Sequence, residues 1–459
     1  MTSTAALTPP HLLSRDTGPL VVGAVALVTL GAIENRAVST VLPTMLGELG
    51  ALQGFGLVMA APLATYLVAL AVSGWWCDRS GPVPTLRIGA VLFLGAQILV
   101  GTATGLGSVV AGRLLSGLAE GMLDISLMVL VARALDPTLR PRVMALFAAA
   151  WILPSVVGPI LSGVVAETVG WRWVFLGAVV LLAPTWVLLR PAMATPDLDR
   201  RDDEAAVTDG GRLRRILPWA VVGAAGLVVL NLAAEGSMPR ALVAGLVVAG
   251  GVAVVAAARV LLPVGSLRAS CGIGGIIALR GLLSAAFLGI GGFLPLILTT
   301  LHHQPPTVAG ISLSVTGVMW SLGSAIASRL AEHPGLLLHM GFGALSLGLA
   351  GASLLVWTSL PIGFGLAGWG VAGLGIGLTS STLSVLTMTV SDDTNQGRHN
   401  AGGQMAASMA SALFYAGAGA VLAVLGTSGR LGFEVVTSAA VVLALLGLAG
   451  ARRAVCTVA

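Results

Sequence analysis

The sequence predicts an all-α integral membrane protein with fourteen membrane-spanning helices and both termini in the cytoplasm. Hydrophobic residues make up 56% of the chain and charged residues only 9%, and the mean hydropathy is +0.97. These values exclude a water-soluble globular protein. Apolar runs of about 20 residues, the length of a membrane-spanning helix, recur along the chain, whereas the alternation typical of barrel strands is absent. When the chain is threaded through the membrane with these spans, the arginines lie almost entirely on one side.

The apolar runs divide into six, then two, then six. The predicted spans lie at 18–46, 56–76, 83–104, 108–135, 143–168, 173–189, 216–234, 241–262, 281–301, 308–328, 335–357, 361–390, 401–425 and 431–451. They form an amino-terminal six-helix bundle (18–189), two accessory spans (216–262) and a carboxyl-terminal six-helix bundle (281–451). The other segments are predicted to be cytoplasmic: 1–17, a charged linker at 190–215, a loop at 263–280 and a tail at 452–459. Two six-helix halves are typical of transporters that bind substrate between the halves at mid-depth.

The arginine positions test this helix count. With the amino terminus inside, Arg172, Arg240 and Arg430 lie outside and Arg36 and Arg113 lie within spans, while the rest of the 24 basic residues lie on the cytoplasmic side. Cytoplasmic loops are enriched in basic residues, so this asymmetry supports both the count and the orientation. The net charge of +5 is therefore interpreted as a topology signal, and no nucleic-acid partner is expected.

No metal or organic cofactor is expected. Cys77, Cys271 and Cys456 all lie at predicted cytoplasmic helix ends, where thiols stay reduced, so neither disulfides nor a metal site are predicted. His302 and His303 are metal-ligand residue types, but they are interpreted as part of a solvated external turn. Nucleotide-binding and nucleophile motifs are absent, which leaves protons as the expected coupling ion.

Ionisable residues inside the predicted spans are concentrated in the amino-terminal bundle. Glu34 and Arg36 lie in the first span, and Arg113, Glu120 and Asp124 lie in the fourth. Burying such a group in a bilayer costs at least about 2.5 kcal/mol, so each needs a partner, a wet cavity or a function. The spacing places Arg113, Glu120 and Asp124 on one helix face, over roughly 16 Å of depth.

Two interpretations of these residues stay open. The first is a polar stripe along a transport cavity, and the second is a static core in which Arg113 neutralises Glu34 or Glu120. Proton coupling requires a carboxylate that changes its protonation state as the cavity changes sides. Glu34 is the first candidate, Asp124 the second and Glu120 the third, and a role mainly as the partner of Arg113 is the alternative for Glu120.

A charged turn follows the second span. It runs Gly74-Trp-Trp-Cys-Asp78-Arg79-Ser-Gly81, with Arg87 further along. This resembles the G-x-x-x-D-R-x-G signature of the major facilitator superfamily, and the resemblance implies a fold of two rocking bundles. It also implies a conformational latch between cytoplasmic helix ends, formed by the aspartate and the arginines. The basic residues that usually follow the last glycine are missing, so only Arg87 is expected to supply that contact, and an ordinary charged turn is the alternative.

Two further stretches resemble motifs of the same family. Arg113-Leu-Leu-Ser-Gly117 is similar to its fourth-helix R-x-x-x-G motif, which implies that Arg113 takes part in proton transfer. Gly158-Pro159-Ile-Leu-Ser-Gly163 is similar to part of the fifth-helix motif typical of antiporters. Because proline removes a backbone donor, this antiporter-type bend has a simple helix kink as its alternative.

The first span has the most specific resemblance. Residues 33–43 resemble the first-helix motif of the fourteen-helix drug:proton antiporters, with Glu34 in the position of the aspartate. Arg36 replaces a small polar residue there, and it would place a second cation beside the cavity, where it would alter coupling or favour anionic substrate groups. The resemblance covers nearly the whole chain in helix count, but its motifs are specific only in 33–175.

Several residues outside these motifs are weaker candidates. Trp151, Trp320, Phe287 and Met319 have side chains suited to lining a drug pocket, although ordinary helix packing is the favoured interpretation. Asn231, a polar residue in an accessory span, is expected to bond a neighbouring helix.

These observations predict a monomeric multi-pass protein of a bacterial cell membrane that exports small amphipathic molecules or drugs in exchange for protons. The alternative on the same fold is the export of lipids, lipid-linked precursors or an endogenous metabolite. A membrane enzyme would need a cluster of polar catalytic residues near one interface, which the sequence lacks. A channel or a passive scaffold would show flux or binding without proton dependence.

Overall fold

The computed structural model contains fourteen long helices, all long and apolar enough to cross a membrane. It describes residues 17–135, 139–193, 203–234, 239–392, 395–426 and 429–456, and no β-strand occurs in these ranges. The helices are α1 (Gly18–Glu48), α2 (Phe55–Ser80), α3 (Pro82–Gly101), α4 (Leu106–Ala134), α5 (Arg140–Thr168), α6 (Arg172–Met193), α7 (Asp203–Ala234), α8 (Arg240–Leu261), α9 (Ile273–Thr300), α10 (Pro306–Arg329), α11 (Pro334–Ser353), α12 (Ile362–Thr389), α13 (Gln396–Leu425) and α14 (Arg430–Val455). The predicted fold class is confirmed, whereas the orientation of the termini stays a prediction.

Two helices begin eight or more residues before their predicted start. Helix α7 begins at Asp203, inside the expected charged linker, and residues 194–202 of that linker lie outside the described ranges. Helix α9 begins at Ile273 and includes Arg280, which was predicted to lie in a loop. Arg280 Nη2 donates a hydrogen bond to Gln404 Oε1 of α13 at 3.3 Å. A long arginine stem lets an apolar helix continue past its charged group, so hydropathy alone placed this boundary too late.

Close helix packing builds the two bundles. In the amino-terminal bundle α4 packs against α2 and α3, and α1 packs against α5 and α6. In the carboxyl-terminal bundle α12 packs against α10 and α11, and α9 packs against α13 and α14. Small residues permit this contact, since a Cβ added to Gly117 of α4 would overlap the carbonyl oxygen of Pro62 in α2.

The accessory helices bridge the bundles along one side. Helix α7 packs against α2 and α13, and α8 packs against α7. Asn231 is 1% exposed, and its Nδ2 donates to the Leu227 carbonyl at 2.8 Å and to the Ala412 carbonyl of α13 at 3.5 Å. The prediction that Asn231 bonds a neighbouring helix is confirmed.

The loop between α8 and α9 folds against the end of α14. The Gly272 N–H donates to the Arg453 carbonyl at 3.2 Å. Cys271 and Cys456 form a disulfide, with their Cα atoms 5.9 Å apart. The prediction that none of the cysteines pairs is therefore wrong. The two residues are 185 positions apart in the chain, and only the folded loop brings them together.

The bundles meet at the face that contains the α1–α2 loop, here called the loop face; the opposite face, where α1 begins and α14 ends, is the terminal face. Glu167 Oε1 of α5 accepts a hydrogen bond from the Thr307 N–H of α10 at 2.7 Å. A Cβ added to Gly163 would lie 2.7 Å from Thr307 Cα. Phe55 of α2 packs on Phe293 of α9, with ring centroids 5.1 Å apart. The loop face is therefore closed.

Candidate functional site

A cavity with two adjacent lobes, which share part of their lining, lies between the bundles. The wide lobe, about 570 Å³, extends toward the terminal face and is lined by Asp124 and by Gln404 near the start of α13. The narrow lobe, about 120 Å³, lies nearer the loop face and is lined by Arg113. Arg36 and Glu120 line both lobes. The five predicted ionisable residues are thus brought together, four at the cavity and Glu34 directly behind it.

Arg113 forms a buried ion pair with Glu34. Arg113 Nη1 lies 2.6 Å from Glu34 Oε1, and the two side chains are 6% and 8% exposed. Arg113 Nη1 also donates to Ser116 Oγ at 3.3 Å. Of the two partners left open for Arg113, the structure shows Glu34, because α1 places it within bonding distance, and Glu120 bonds Asn35 instead. Glu34, the first candidate for proton coupling, therefore has its charge compensated in this conformation.

Glu120 and Asp124 have neutral partners. Asn35 Nδ2 donates to Glu120 Oε1 at 3.2 Å, and the Tyr66 hydroxyl donates to Asp124 Oδ2 at 3.0 Å. In the described part of the chain neither carboxylate forms an ion pair with a basic side chain. Both are partly accessible from the cavity. They line the wide lobe without a basic partner, and their role in proton coupling stays a prediction.

An aromatic cluster faces these charges from the carboxyl-terminal bundle. The Arg36 guanidinium lies over the ring of Trp320 in α10, 5.6 Å from its centroid. Trp320 meets Phe287 of α9 edge to face at 5.7 Å, and Phe287 stacks on Trp369 of α12 at 4.7 Å. The narrow lobe thus combines the guanidiniums of Arg36 and Arg113 with a continuous aromatic wall.

The predicted latch residues lie at the terminal face, at the turn between α2 and α3. Gly81 lies between the end of α2 and the start of α3. Its φ is 77°, a backbone conformation that favours glycine. Arg79 and Arg87 are exposed, while Gly74 and Asp78 are half-buried. The structure groups these residues at one turn, and their role as a latch stays a prediction.

The predicted antiporter-type bend lies at the contact between the bundles. Helix α5 continues through Gly158 and Pro159 without interruption. A Cβ added to Gly310 of α10 would overlap the Pro159 carbonyl oxygen, and Gly163 packs on Thr307 of the same helix. This motif therefore shapes the contact between α5 and α10, in addition to the path of α5 itself.

Comparison with known proteins establishes the family. A sequence model of the Major Facilitator Superfamily matches residues 24–414, most of the chain. The chain belongs to the major facilitator superfamily. It is therefore a transporter and not an enzyme, and with its fourteen hydrophobic helices it is a multi-pass membrane protein. Its bacterial relatives support a location in the plasma membrane.

The curated relatives include multidrug transporters. The chain is 27% identical to the "Probable multidrug-efflux transporter" of Mycobacterium tuberculosis (strain ATCC 25618 / H37Rv), over 72% of this chain and 70% of that protein. It is 26% identical to the Multidrug transporter protein MdtP of Bacillus subtilis (strain 168), over 34% of this chain. The latter match spans only 29% of the length of the Bacillus protein.

Solved structures share the fold at low identity. A POT family transporter in complex with a thioalcohol conjugated peptide superposes with a TM-score of 0.69 at 14% identity, covering 93% of this chain and 94% of that one. A bacterial homolog of the human lysosomal transporter Spinster, in an inward-facing and unoccupied conformation, gives 0.65 at 11% identity, covering 94% and 95%. These likenesses show the fold alone.

Several residues that line the transporter's cavity belong to no predicted motif. They include Tyr66, Tyr415 and Trp369, which lies in the carboxyl-terminal bundle. The chain contains only two tyrosines, and both line the cavity. A tyrosine within an apolar span was thus a signal in the sequence, because its hydroxyl needs a hydrogen-bond partner in the bilayer.

The weaker candidates divide between the cavity and packing. Trp151, Trp320 and Phe287 line the cavity, so helix packing is not their whole role. Met319 lies outside the cavity lining and packs near Gly373.

The histidine pair is not a purely solvated turn. His302 is half-buried, and its Nε2 lies 2.6 Å from the Leu355 carbonyl oxygen, whereas His303 is exposed. Within the described ranges, no group of three or more His, Cys, Asp or Glu side chains is arranged to hold a metal ion.

Replacing Glu34 should destabilise the transporter strongly. Glu34→Gln leaves the buried guanidinium of Arg113 without its counter-charge, which costs about 3–5 kcal/mol. We expect a lower midpoint temperature of unfolding in detergent micelles, and partial recovery when Arg113→Gln is added to the same chain. An unchanged midpoint in Glu34→Gln would show that the ion pair does not stabilise the bundle.

Proposed function

We propose that this transporter exports small amphipathic molecules or drugs in exchange for protons. The observation that supports the proposal most is the pair of carboxylates, Glu120 and Asp124, that lines the wide lobe without a basic partner. A protonatable group inside a membrane protein that faces a wet cavity is characteristic of proton pathways. The multidrug names of the relatives agree with this substrate class.

The two kinds of carboxylate have different proposed roles. Glu120 and Asp124 take up and release protons, because their partners Asn35 and Tyr66 are neutral. Glu34 instead forms the buried ion pair with Arg113. Arg113 lines the narrow lobe together with Glu120, so protonation of Glu120 changes the electric field at the ion pair. This field change is the proposed link between proton binding and movement of α4 against α1.

The closed loop face supports alternating access, in which the cavity opens to one side of the membrane at a time. With both termini in the cytoplasm, the loop face is the outer face, and substrate enters the wide lobe from the cytoplasm. Separation of α5 from α10 at Gly163 and Thr307 then opens the cavity to the outside. The latch residues Asp78, Arg79 and Arg87 lie at the opposite face, where they would join the helix ends in the outward-open state. One chain contributes both bundles that line the cavity, which supports a monomer. Protons are its proposed coupling ion.

Transport in proteoliposomes tests the proposal. Vesicles with an acidic lumen are given either ethidium, an amphipathic cation, or 8-anilinonaphthalene-1-sulfonate, an amphipathic anion. We expect at least one of the two dyes to accumulate, with alkalinisation of the lumen reported by trapped pyranine. Nigericin should abolish both signals. Accumulation that is unaffected by nigericin would contradict proton coupling.

Export of lipid-like molecules is the alternative on this fold. The same vesicles with a fluorescent lysophospholipid distinguish the two substrate classes. Gradient-driven movement of the lipid, with none of the dyes, would replace the drug-export proposal by the lipid one.

A further inference from the structure

Arg36 is a cavity cation without a counter-charge. No described carboxylate forms an ion pair with it, and its guanidinium lies over the Trp320 ring. Its Nε is buried and has no hydrogen-bond partner among the described residues. A guanidinium has five donors in a planar fork and no acceptor, so its unmet need is for an oxygen acceptor, preferably a charged one.

Two more buried donors of the narrow lobe are also unpartnered. Trp369 is 1% exposed, and its Nε1 has no acceptor among the described residues. The same is true of Arg113 Nε, although the Nη1 of that residue bonds Glu34. In the described lining of the narrow lobe, no buried side-chain acceptor is left unpartnered in the same way. All the unpartnered buried side-chain atoms in the described lining of the narrow lobe are thus donors, while the Glu120 carboxylate of the same lining already accepts a hydrogen bond from Asn35.

Burial makes this imbalance significant. An unpaired polar group inside a protein loses free energy relative to water, and a charged group loses more. In proteins such groups are satisfied by ordered water, by ions or by a ligand. A volume of about 120 Å³ accommodates several water molecules or one small oxyanion such as a carboxylate.

The residues around the narrow lobe indicate the chemical character of the rest of the ligand that carries this oxyanion. Phe287 and Trp320 form an aromatic wall that leads away from Arg36. The wide lobe, about 570 Å³, continues from the same two residues Arg36 and Trp320 and has a mainly apolar lining with scattered hydroxyls. A ligand that occupies both lobes has an acidic head in the narrow lobe and an apolar body in the wide lobe.

We propose that the substrates of this transporter are amphipathic organic acids, whose carboxylate binds Arg36 in the narrow lobe beside Trp369. The inference rests on the proposed export function and names its substrate class. It also specifies how charge moves. A proton that enters and an anion that leaves move charge in the same electrical direction, so the membrane potential drives the exchange together with the pH gradient.

Binding of matched ligands tests the inference. Three compounds share one naphthalene ring: 1-naphthaleneacetate, its amide 1-naphthaleneacetamide and the amine 2-(1-naphthyl)ethylamine. Each is titrated calorimetrically into the transporter in lipid nanodiscs, with empty nanodiscs as the blank. We expect the carboxylate to bind about ten- to a hundredfold more tightly than the amide, because it accepts charge-assisted hydrogen bonds from Arg36.

Variants of Arg36 identify the binding group. Arg36→Gln should weaken carboxylate binding by about ten- to a hundredfold and leave amide binding nearly unchanged. Arg36→Lys keeps the charge without the planar fork and should fall between the two. Arg329→Gln is the matched control, since Arg329 is exposed at the end of α10 and outside the cavity lining. Equal binding of carboxylate and amine, no measurable carboxylate binding, or no effect of Arg36→Gln would each overturn the inference.

Failure of this inference is distinguishable from failure of the export function. If ethidium is exported against protons while 1-naphthaleneacetate does not bind, the function stands and the substrate class is wrong. If the carboxylate binds through Arg36 but the pH gradient moves neither dye, the binding site stands and the export proposal is wrong.

Discussion

Conversion of Glu120 and Asp124 to their amides is expected to abolish proton-driven export. Glu120→Gln and Asp124→Asn retain the size and shape of the side chains, and they retain acceptors for Asn35 and Tyr66. An amide cannot release a proton at physiological pH. The double variant should therefore reduce gradient-driven dye accumulation in proteoliposomes to the level of empty vesicles.

Exchange measurements separate coupling from simple damage. Counterflow of labelled against unlabelled dye needs no net proton movement, so it should persist in the double variant. Glu434→Gln provides a matched control, because Glu434 pairs with Arg430 at the start of α14 and does not line the cavity. Undiminished gradient-driven export by the double variant would exclude both acids as the proton carriers and return that role to Glu34.

Enlargement of Gly163 is expected to open the loop face. A Cβ at this position would lie 2.7 Å from the Pro306 carbonyl oxygen and from Thr307 Cα. Both are backbone atoms of α10, so they cannot move aside as a flexible side chain can. Gly163→Val should therefore separate α5 from α10. Overpacking costs about 1–3 kcal/mol, enough to shift a two-state equilibrium by about 5–150-fold.

Cysteine accessibility measures this shift. Ser39 lines the narrow lobe behind the closed loop face, and Ser39→Cys introduces a small reporter there. A membrane-impermeant thiol reagent applied from the loop face should label it slowly in the parent protein and much faster with Gly163→Val. Gly177→Val is the control, because a Cβ at Gly177 meets no atom within 4 Å. Equal labelling in both valine variants would show that the α5–α10 contact does not close the cavity.

The membrane fold was predictable because its signals are local in sequence. Length, hydropathy and the arginine asymmetry together gave the number of helices. Local signals failed where a residue's environment depends on distant parts of the chain. Arg280 lies inside α9, where Gln404 of the distant helix α13 accepts its hydrogen bond. Cys271 meets Cys456 because the loop between α8 and α9 folds against the end of α14.

The candidate site was predictable in its members but not in its pairings. Helical periodicity correctly placed Arg113, Glu120 and Asp124 together, because it concerns a single helix. Whether Glu34 or Glu120 pairs with Arg113 depends on how α1 and α4 are rotated against each other, and one helix pattern contains no such information. Trp369 has no motif around it, and only the packing of α12 against α9 places it at the cavity.

The two bundles contribute different types of side chain to the cavity. The acids and guanidiniums of the cavity and its buried ion pair come from α1 and α4, while Phe287, Trp320 and Trp369 come from α9, α10 and α12. Mutations in the second bundle can thus reshape the aromatic wall, and with it the range of accepted molecules, without disturbing a titratable group. During evolution, substrate preference can therefore diverge while coupling to protons is retained.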